Sequence, residues 1–241
     1  MLLYHGTTKS ALVHIVDEGI KPRGADRGNW PDAVDSHPDA VYLTTSYALH
    51  FARCARDKYD DEFVAVVEID SEHPSMKQGL FAPDEDFMEQ ATRNNPDFNF
   101  LKRRYKDMVE RTAYFRERCR DDYRGYWEMS VQHLGTCAYY GHVPVEAITR
   151  YALIRYNHNL CLASDPTITL ANYAILGNYY RHLTRLVFGD YDGDADPMID
   201  PMTTARLSGL SNAGVRVFSR DPSNPAIFTA TEAVPGSVAT S

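Results

Sequence analysis

The stretch that decides the fold is Tyr4-His5-Gly6-Thr7 near the amino terminus, together with Val41-Tyr42-Leu43-Thr44-Thr45-Ser46 further along the chain. Residues 2–5 predict a short strand, and Val41 to Thr44 predict another, because β-branched and aromatic residues favour extended structure. A histidine therefore ends one strand and a tyrosine lies on the other. These two side chains are the first candidates for a ligand-binding pair.

Helix signals follow both strands. Thr7 or Thr8 is predicted to cap a first helix, which Gly19 ends. The apolar residues of that helix repeat at helical spacing and are Ala11, Leu12, Ile15 and Val16. Ser46 is predicted to cap a second helix. The residues on its apolar face are Ala48, Phe51, Ala52 and Ala55. Phe63 to Ile69 then predict a buried strand.

Residues 21–40 contain prolines and glycines among charged side chains, which is typical of an irregular loop. Such a loop next to a ligand site often supplies contacts to the ligand. The candidate contacts in this loop are Arg23, Arg27 and Trp30.

The later part of the chain alternates between helical and extended patterns. Residues 82–127 are polar and aromatic with apolar residues at helical spacing, and they predict an inserted helical segment. Leu134–Tyr140 and Ile148–Ile154 predict two strands, and the short link 141–144 favours their being neighbours. The predicted organisation is a core over 1–155, a helical extension over 156–220 and a disordered tail over 221–241.

Composition limits the class of protein. The chain has 241 residues, of which 44% are hydrophobic and 24% charged, and its formal charge is -8, which does not favour a broad surface for nucleic acid. The four cysteines form no CxxC pair and are Cys54, Cys119, Cys137 and Cys161. They indicate reduced thiols and a cytoplasmic protein. No signal peptide or membrane span is predicted, so no membrane partner is expected.

His5-Gly6-Thr7, the helix closed by Gly19, and the strand of Tyr42 running into a second helix resemble the diphtheria-toxin-like ADP-ribosyltransferases, which are named for a histidine, tyrosine and glutamate triad. The resemblance covers roughly residues 2–70, and more weakly 128–155. It implies an α+β fold with a split, bent antiparallel sheet that holds NAD between its halves, an inserted helical segment and C-terminal helices.

The resemblance also implies roles for side chains. His5 would bind the adenosine-side ribose, and Gly6, which lacks a side chain, would let the backbone approach the ligand. Tyr42 would stack on nicotinamide, with Tyr47 closing the other face of the ring. The remaining predicted NAD contacts are Thr7, Arg23, Thr44 and Ser46.

The third triad residue lies, by the resemblance, at the start of a late strand, where the chain reads Trp127-Glu128-Met129-Ser130-Val131-Gln132. Gln132 fits the position and Glu128 fits the chemistry. Either side chain could hold the ribose 2′-hydroxyl while positive charge develops on the sugar. Gln132 cannot act as a base, so its presence would leave activation of the acceptor to another group.

Two further patterns favour ordinary structural roles. The run from Asp190 to Asp196 has carboxylates at alternate positions, but Ala195 and Pro201 stand where a calcium loop needs glycine and glutamate, so no metal is predicted. The inserted segment is rich in arginine, yet nearby carboxylates offset much of that charge, which is typical of a salt-bridged helix and leaves contact with an acceptor open.

Three functions follow from the sequence as alternatives. The first is an NAD-dependent ADP-ribosyltransferase that modifies a protein or nucleic acid, as a toxin or phage effector in a bacterial or phage-infected cell, with an antitoxin or regulatory partner. The second is an RNA 2′-phosphotransferase, which would need several basic residues, such as Arg23, Arg27 and Arg53, to hold the phosphate. The third is an inactive binding module of the same fold.

Overall fold

The computed structural model describes residues 1–24, 36–59, 61–88, 108–118, 123–155, 181, 184–185, 187–190 and 214–231. The strands are β1 (Leu2–Thr8), β2 (Ala40–Thr44), β3 (Phe63–Asp70), β4 (Leu80–Pro83), β5 (Thr136–Tyr140), β6 (Ile148–Arg155), β7 (Arg216–Arg220) and β8 (Phe228–Thr231). The helices are α1 (Lys9–Glu18), α2 (Ala48–Tyr59), α3 (Met108–Arg118) and α4 (Tyr123–Leu134). Short 3₁₀ helices span Pro74–Gln78 and Val145–Ala147.

The eight strands form one antiparallel sheet in the order β4-β5-β2-β1-β3-β6-β7-β8. This confirms the α+β class. Pairing is uneven along the sheet, because β1 and β3 are in register from Leu2 opposite Asp70 to Thr8 opposite Val64. By contrast, β1 and β2 pair only where Tyr4 faces Thr44. We call this single pair the β1–β2 joint.

The first helix begins and ends where local side-chain chemistry predicts. The Thr8 hydroxyl accepts a hydrogen bond from the Ala11 amide at 3.3 Å, which satisfies one of the amides left open at a helix start. Gly19 ends the helix with a φ of 79°, a left-handed conformation that glycine adopts without a Cβ clash. The strand before it extends beyond the predicted residue 5 to Thr8, because β3 pairs along its whole length.

The prediction that β5 and β6 are neighbours is wrong. β5 lies between β4 and β2, whereas β6 lies between β3 and β7, so β2, β1 and β3 separate the two strands. The link between them crosses the sheet and is anchored midway by an antiparallel bridge between Ile20 and Val143, with both N–O distances 2.9 Å. The link thus spans the three intervening strands, and its hydrogen bonds to Ile20, two residues beyond the end of α1, hold it in place.

The carboxy-terminal prediction also needs correction. Residues 216–220, predicted within a helical extension, form β7, and part of the predicted tail forms β8, which pairs with β7 from Val217 opposite Thr231 to Arg220 opposite Phe228. Side-chain contacts between neighbouring strands stabilise β7 and β8. Tyr151 stacks on Phe218 at 4.8 Å, and the Arg220 guanidinium lies over the Phe228 ring. Residues 156–180 and 232–241 lie outside the described part of the chain.

In the described part of the chain, two apolar cores lie on opposite faces of the sheet, and the smaller core lies against β2, β5 and the edge strand β4. The larger core includes residues from α1 and from alternate positions of β1, β2 and β3, among them Leu3, Leu12, Ile15, Val41, Leu43, Val67 and Ile69. The smaller core contains Ala40, Ala82, Met88, Phe115 and Ala138, with Tyr42 packed against it. Because side chains alternate along a strand, Tyr42 points away from the larger core that holds Val41 and Leu43.

The segment predicted to be an inserted helical unit holds the end of β4, α3 and the start of α4, and β4 is a strand because it pairs with β5. Cys54 and Cys137 are not in disulfides, and Cys119 and Cys161 lie outside the described residues. No helix within the described ranges is both long and apolar enough to cross a membrane.

Candidate functional site

His5 forms a side-chain hydrogen bond that connects β1 to β2. Its Nδ1 lies 3.0 Å from the main-chain oxygen of Tyr42, and because a carbonyl can only accept, Nδ1 carries the proton. Burial lowers the pKa of the half-buried ring, so the imidazole is neutral. A neutral ring with its proton on Nδ1 presents Nε2 as a hydrogen-bond acceptor.

This bridge marks the place where the two strands separate. The register that sets Tyr4 opposite Thr44 would next set Gly6 opposite Tyr42, but the ladder stops at the joint. The Tyr42 carbonyl instead receives the His5 side chain. The backbone edges of β1 and β2 therefore diverge beyond the joint, and the imidazole lies in the gap.

The Tyr42 side chain lies on the face of β2 opposite the larger core, and two hydrogen bonds hold its hydroxyl. Its hydroxyl donates to Glu85 Oε2 at 2.5 Å and accepts from the His37 amide at 2.7 Å. Burial raises the pKa of the phenol, and the Glu85 carboxylate raises it further. The half-buried ring also packs against the smaller core, so the structure gives Tyr42 a fixed position and a polar partner that the sequence analysis did not predict.

The carboxylates after β4 are the residues that the sequence analysis missed. Glu85 is 4% exposed and accepts from Tyr42, whereas Asp84 is half-buried and accepts from the Asp86 amide. The Asp84 amide donates to the Ser130 hydroxyl at 3.1 Å, which attaches this turn to α4. The only sequence signal was the acidic run Asp84-Glu85-Asp86 directly after Pro83.

Gly6 packs directly against helix α2, and its close approach to a ligand stays a prediction. A Cβ at this position would lie 1.9 Å from the Ala48 oxygen and 2.5 Å from the Ala52 nitrogen. Helix α2 therefore covers the face of β1 at Gly6, and the missing side chain admits a helix.

The hydroxyls of Thr44 and Ser46, which the sequence predicts to contact NAD, are buried in the turn before α2. The Thr44 hydroxyl donates to the Gly135 oxygen at 2.6 Å and accepts from the amides of Ser46 and Tyr47. One donor and two acceptor positions are the full capacity of a hydroxyl. Thr44 and Ser46 are 0% and 1% exposed, and the Thr44 hydrogen bonds fix the turn into α2.

The other predicted contacts occupy varied places. Thr7 is 6% exposed within β1. Tyr47 precedes α2 and its ring lies 6.2 Å from that of Phe51. The Arg23 guanidinium donates to the hydroxyl and carbonyl of Ser36, which closes the base of the 21–40 loop. Arg27 and Trp30 lie outside the described residues.

Both candidates for the third triad residue lie on α4, and not on a strand as predicted. Gln132 and Glu128 are both exposed and lie one helical turn apart. Neither lies on a strand, because α4 continues to Leu134 and β5 begins only at Thr136. Gln132 borders a cleft of about 440 Å³ whose lining does not include Glu128, His5 or Tyr42. We call it the arginine cleft, and the described residues that line it are Met1, Leu2, Tyr4, Thr45, Val131, Gln132, Arg181 and Arg185.

The β1–β2 joint lies between the arginine cleft and the hydrogen bond from His5 to Tyr42. Tyr4 and Thr45 line the arginine cleft, while the neighbouring His5 carries the bridge to Tyr42. The structure thus brings His5 and Tyr42 together and places Gln132 in a separate cleft that begins one residue away along β1.

Within the described ranges, no three or more histidine, cysteine, aspartate or glutamate side chains are arranged to hold a metal. Asp190, the first residue of the acidic run, instead pairs with Arg150 at 2.5 Å. Residues 191–200 lie outside the described part of the chain.

No protein-family model matches the chain, and no curated protein does either. Among solved structures, the chain is similar to EcPltA at 16% sequence identity, over 65% of this chain and 77% of that one, with a TM-score of 0.34.

Proposed function

We propose that this protein is an NAD-dependent ADP-ribosyltransferase of the diphtheria-toxin-like type, which transfers ADP-ribose to a macromolecular acceptor and releases nicotinamide. The observation that carries the proposal is the His5 bridge at the parting of β1 and β2. It supports a sheet divided into two halves with a neutral histidine in the gap, the arrangement that the sequence resemblance implies.

The proposed role of His5 is to bind, and not to transfer a proton. Nδ1 is committed to the Tyr42 carbonyl, so Nε2 would accept a hydrogen bond from a hydroxyl of the adenosine-side ribose. Because burial keeps the ring neutral, it retains this acceptor near neutral pH. Tyr42 would contribute the exposed part of its ring to the nicotinamide, in an orientation fixed by Glu85.

The proposed reaction breaks the bond between the nicotinamide nitrogen and the ribose C1′ carbon. The bonding electron pair leaves with nicotinamide, and an acceptor oxygen or nitrogen forms the new bond to C1′ and loses its proton to solvent. Positive charge on the sugar is the main barrier. Gln132 would hold the 2′-hydroxyl as this charge develops, and the absence of a carboxylate in that role predicts a slow enzyme that depends on a nucleophilic acceptor.

The test is incubation with NAD labelled in the adenosine half and, separately, in nicotinamide. Label on protein or nucleic acid together with released nicotinamide supports the proposal. Release of a cyclic phosphate from 2′-phosphorylated RNA would replace it with a phosphotransferase. Binding of NAD without turnover, or no binding, would replace it with an inactive module. The proposal includes a toxin or phage-effector role in the cytoplasm, with an antitoxin or regulatory partner.

A further inference from the structure

Ser130 on α4 is a fully buried hydroxyl with two main-chain partners. It is 0% exposed, accepts a hydrogen bond from the Asp84 amide at 3.1 Å and donates to the Thr136 main-chain oxygen at 2.8 Å. Asp84 directly follows β4, and Thr136 is the first residue of β5. One side chain therefore joins α4 to the ends of two neighbouring strands.

The Ser130 hydroxyl takes the place of a strand hydrogen bond. The pairing of β4 with β5 ends with Pro83 opposite Cys137, so the register would next set Asp84 opposite Thr136. Their main-chain groups meet at the serine instead, which donates to one and accepts from the other. A buried amide or carbonyl that loses its partner costs about 1–3 kcal/mol, so these two groups hold α4 in place.

The turn after α4 is attached to a third strand. The Gly135 amide donates to the Val131 oxygen at 2.9 Å, which ends the helix, and Gly135 has a φ of 75°. The Gly135 oxygen accepts from the Thr44 hydroxyl at 2.6 Å and from the Thr45 amide at 2.9 Å. The end of α4 is thus fixed against β2, two residues beyond Tyr42.

Gln132 lies between these two attachments. Residues two apart on a helix point in different directions, so the buried Ser130 and the exposed Gln132 occupy different sides of α4. Gln132 borders the arginine cleft from the outer side. Its position relative to the sheet is therefore set by the hydrogen bonds of Ser130 and Gly135.

The turn that Ser130 holds also reaches Tyr42. Glu85 follows Asp84 directly, and its carboxylate accepts from the Tyr42 hydroxyl at 2.5 Å. A short series of hydrogen bonds therefore runs from the Tyr42 side chain, through the turn after β4, to the helix that carries Gln132.

We infer that Ser130 is a positioning residue of the transferase, which sets the place of Gln132 relative to Tyr42. Gln132 is proposed to act as positive charge develops on the sugar, so a shift of α4 costs turnover and leaves NAD binding nearly unchanged. The catalytic part of this inference rests on the proposed function, whereas the coupling of α4 to the turn after β4 does not.

The first test is Ser130→Ala, with rates given per folded molecule. The kcat for nicotinamide release should fall at least about tenfold, while KM and Kd for NAD stay within about twofold. The matched control is Tyr139→Phe on β5, which removes another buried hydroxyl that donates to a main-chain oxygen, that of Met76 at 2.9 Å, but on the face of the larger core. Its kcat should not change. Equal kcat losses in the two variants, or an unchanged kcat in Ser130→Ala, would overturn the inference.

A double-mutant cycle tests whether Ser130 acts through Gln132. In a Gln132→Ala background, Ser130→Ala should cause no further loss of kcat, because the group that it positions is already missing. Losses that multiply would show that Ser130 acts elsewhere and would overturn the inference. Ser130→Cys keeps nearly the same volume with only a weak donor and acceptor, and it serves if the alanine variant does not fold. It should lower kcat at least about threefold, and a native kcat in this variant would count against the positioning role.

Amide hydrogen exchange without NAD separates this inference from the proposed function. In Ser130→Ala, exchange should become faster at the Asp84 amide and over residues 128–134, and Tyr139→Phe should leave both unchanged. Unchanged exchange would refute the coupling of α4 to the turn. If the native protein consumes no NAD, the transferase proposal fails and the catalytic role of Ser130 fails with it, while exchange still decides the coupling. If the native protein releases nicotinamide and Ser130→Ala does so at the native kcat, only the positioning role fails.

Discussion

His5 donates a hydrogen bond from Nδ1 to the main-chain carbonyl of Tyr42 at 3.0 Å, across the gap where β1 and β2 separate. One ring nitrogen therefore has a structural task, and the other is available for a ligand. Substitutions can separate these two tasks.

His5→Asn should keep a donor near the position of Nδ1 and remove Nε2, whereas His5→Ala removes both. We expect both variants to lose NAD affinity by at least about tenfold, but only the alanine variant to lose about 1 kcal/mol of unfolding free energy. Calorimetric titration and urea unfolding measure the two quantities. An asparagine variant that binds NAD like the native protein would remove Nε2 from the site.

Tyr42→Phe should destabilise the fold by about 1–3 kcal/mol, because it removes the hydroxyl that donates to buried Glu85 and accepts from His37. The double variant with Glu85→Gln should lose less than the sum of the single losses, since the two side chains share one hydrogen bond. Tyr151→Phe is the control, a half-buried tyrosine that should lose less stability. Additive losses would mean that the hydroxyl and carboxylate are not coupled.

Gln132→Ala should reduce nicotinamide release at least tenfold, and Glu128→Ala should leave it within twofold, because only Gln132 lines the arginine cleft. Both residues are exposed, so neither change should alter stability by more than about 0.5 kcal/mol. Initial rates with labelled NAD decide between them. The opposite ranking would assign the third residue to Glu128.

Asp84→Asn should stabilise the protein at pH 8 more than at pH 5. Burial raises the pKa of Asp84 to about 7, and the nearby Glu85 and Asp86 carboxylates add to the shift. The folded state thus favours the protonated acid, so this group contributes stability below its unfolded pKa of about 4 and loses it as the pH rises through 7. Asparagine stays neutral throughout.

Thermal unfolding of the native, Asp84→Asn and Asp39→Asn proteins at the two pH values measures this effect. Asp39 is exposed, so its variant should show no comparable gain. A gain for Asp84→Asn that is larger at pH 5 would contradict the raised pKa.

Gly6→Ala should destabilise the fold by about 3 kcal/mol, because the added Cβ would lie 1.9 Å from the Ala48 carbonyl oxygen. Gly24→Ala is the contrasting change: among the described residues its Cβ meets nothing within 4 Å, and its φ of 61° opposes alanine by about 1 kcal/mol. Urea unfolding of both variants checks the ranking. Equal stability would mean that α2 can move away from β1.

Local signals predicted the elements whose ends are set by neighbouring residues. Thr8 and Gly19 delimit α1 through contacts within the same few residues, so the pattern alone located the helix. The strand β4 and the strand β8 escaped prediction because both are only four residues long, and they exist through pairing with β5 and β7.

The candidate site was predictable only in part for the same reason. The sequence pointed to His5 and Tyr42, but their hydrogen bond depends on a break in the ladder that no periodicity encodes. Glu85 meets Tyr42 across 43 residues of chain. The Thr44 hydroxyl bonds to Gly135, 91 residues later, and Gly6 packs against α2. Long-range contacts, and not residue type, decide these roles.

The order of strands carries a consequence for how the chain acquires its structure. β1 is central, β2 and β3 flank it, β5 and β6 lie outside those, and β4, β7 and β8 complete the edges. Residues 2–70 can therefore form a three-stranded sheet of β2, β1 and β3 first. Later strands then add at its two edges without breaking the hydrogen bonds of existing strand pairs. We expect folding to proceed outward from the amino-terminal strand, with the slowest step at β5 and β6, whose partners are the most distant in sequence.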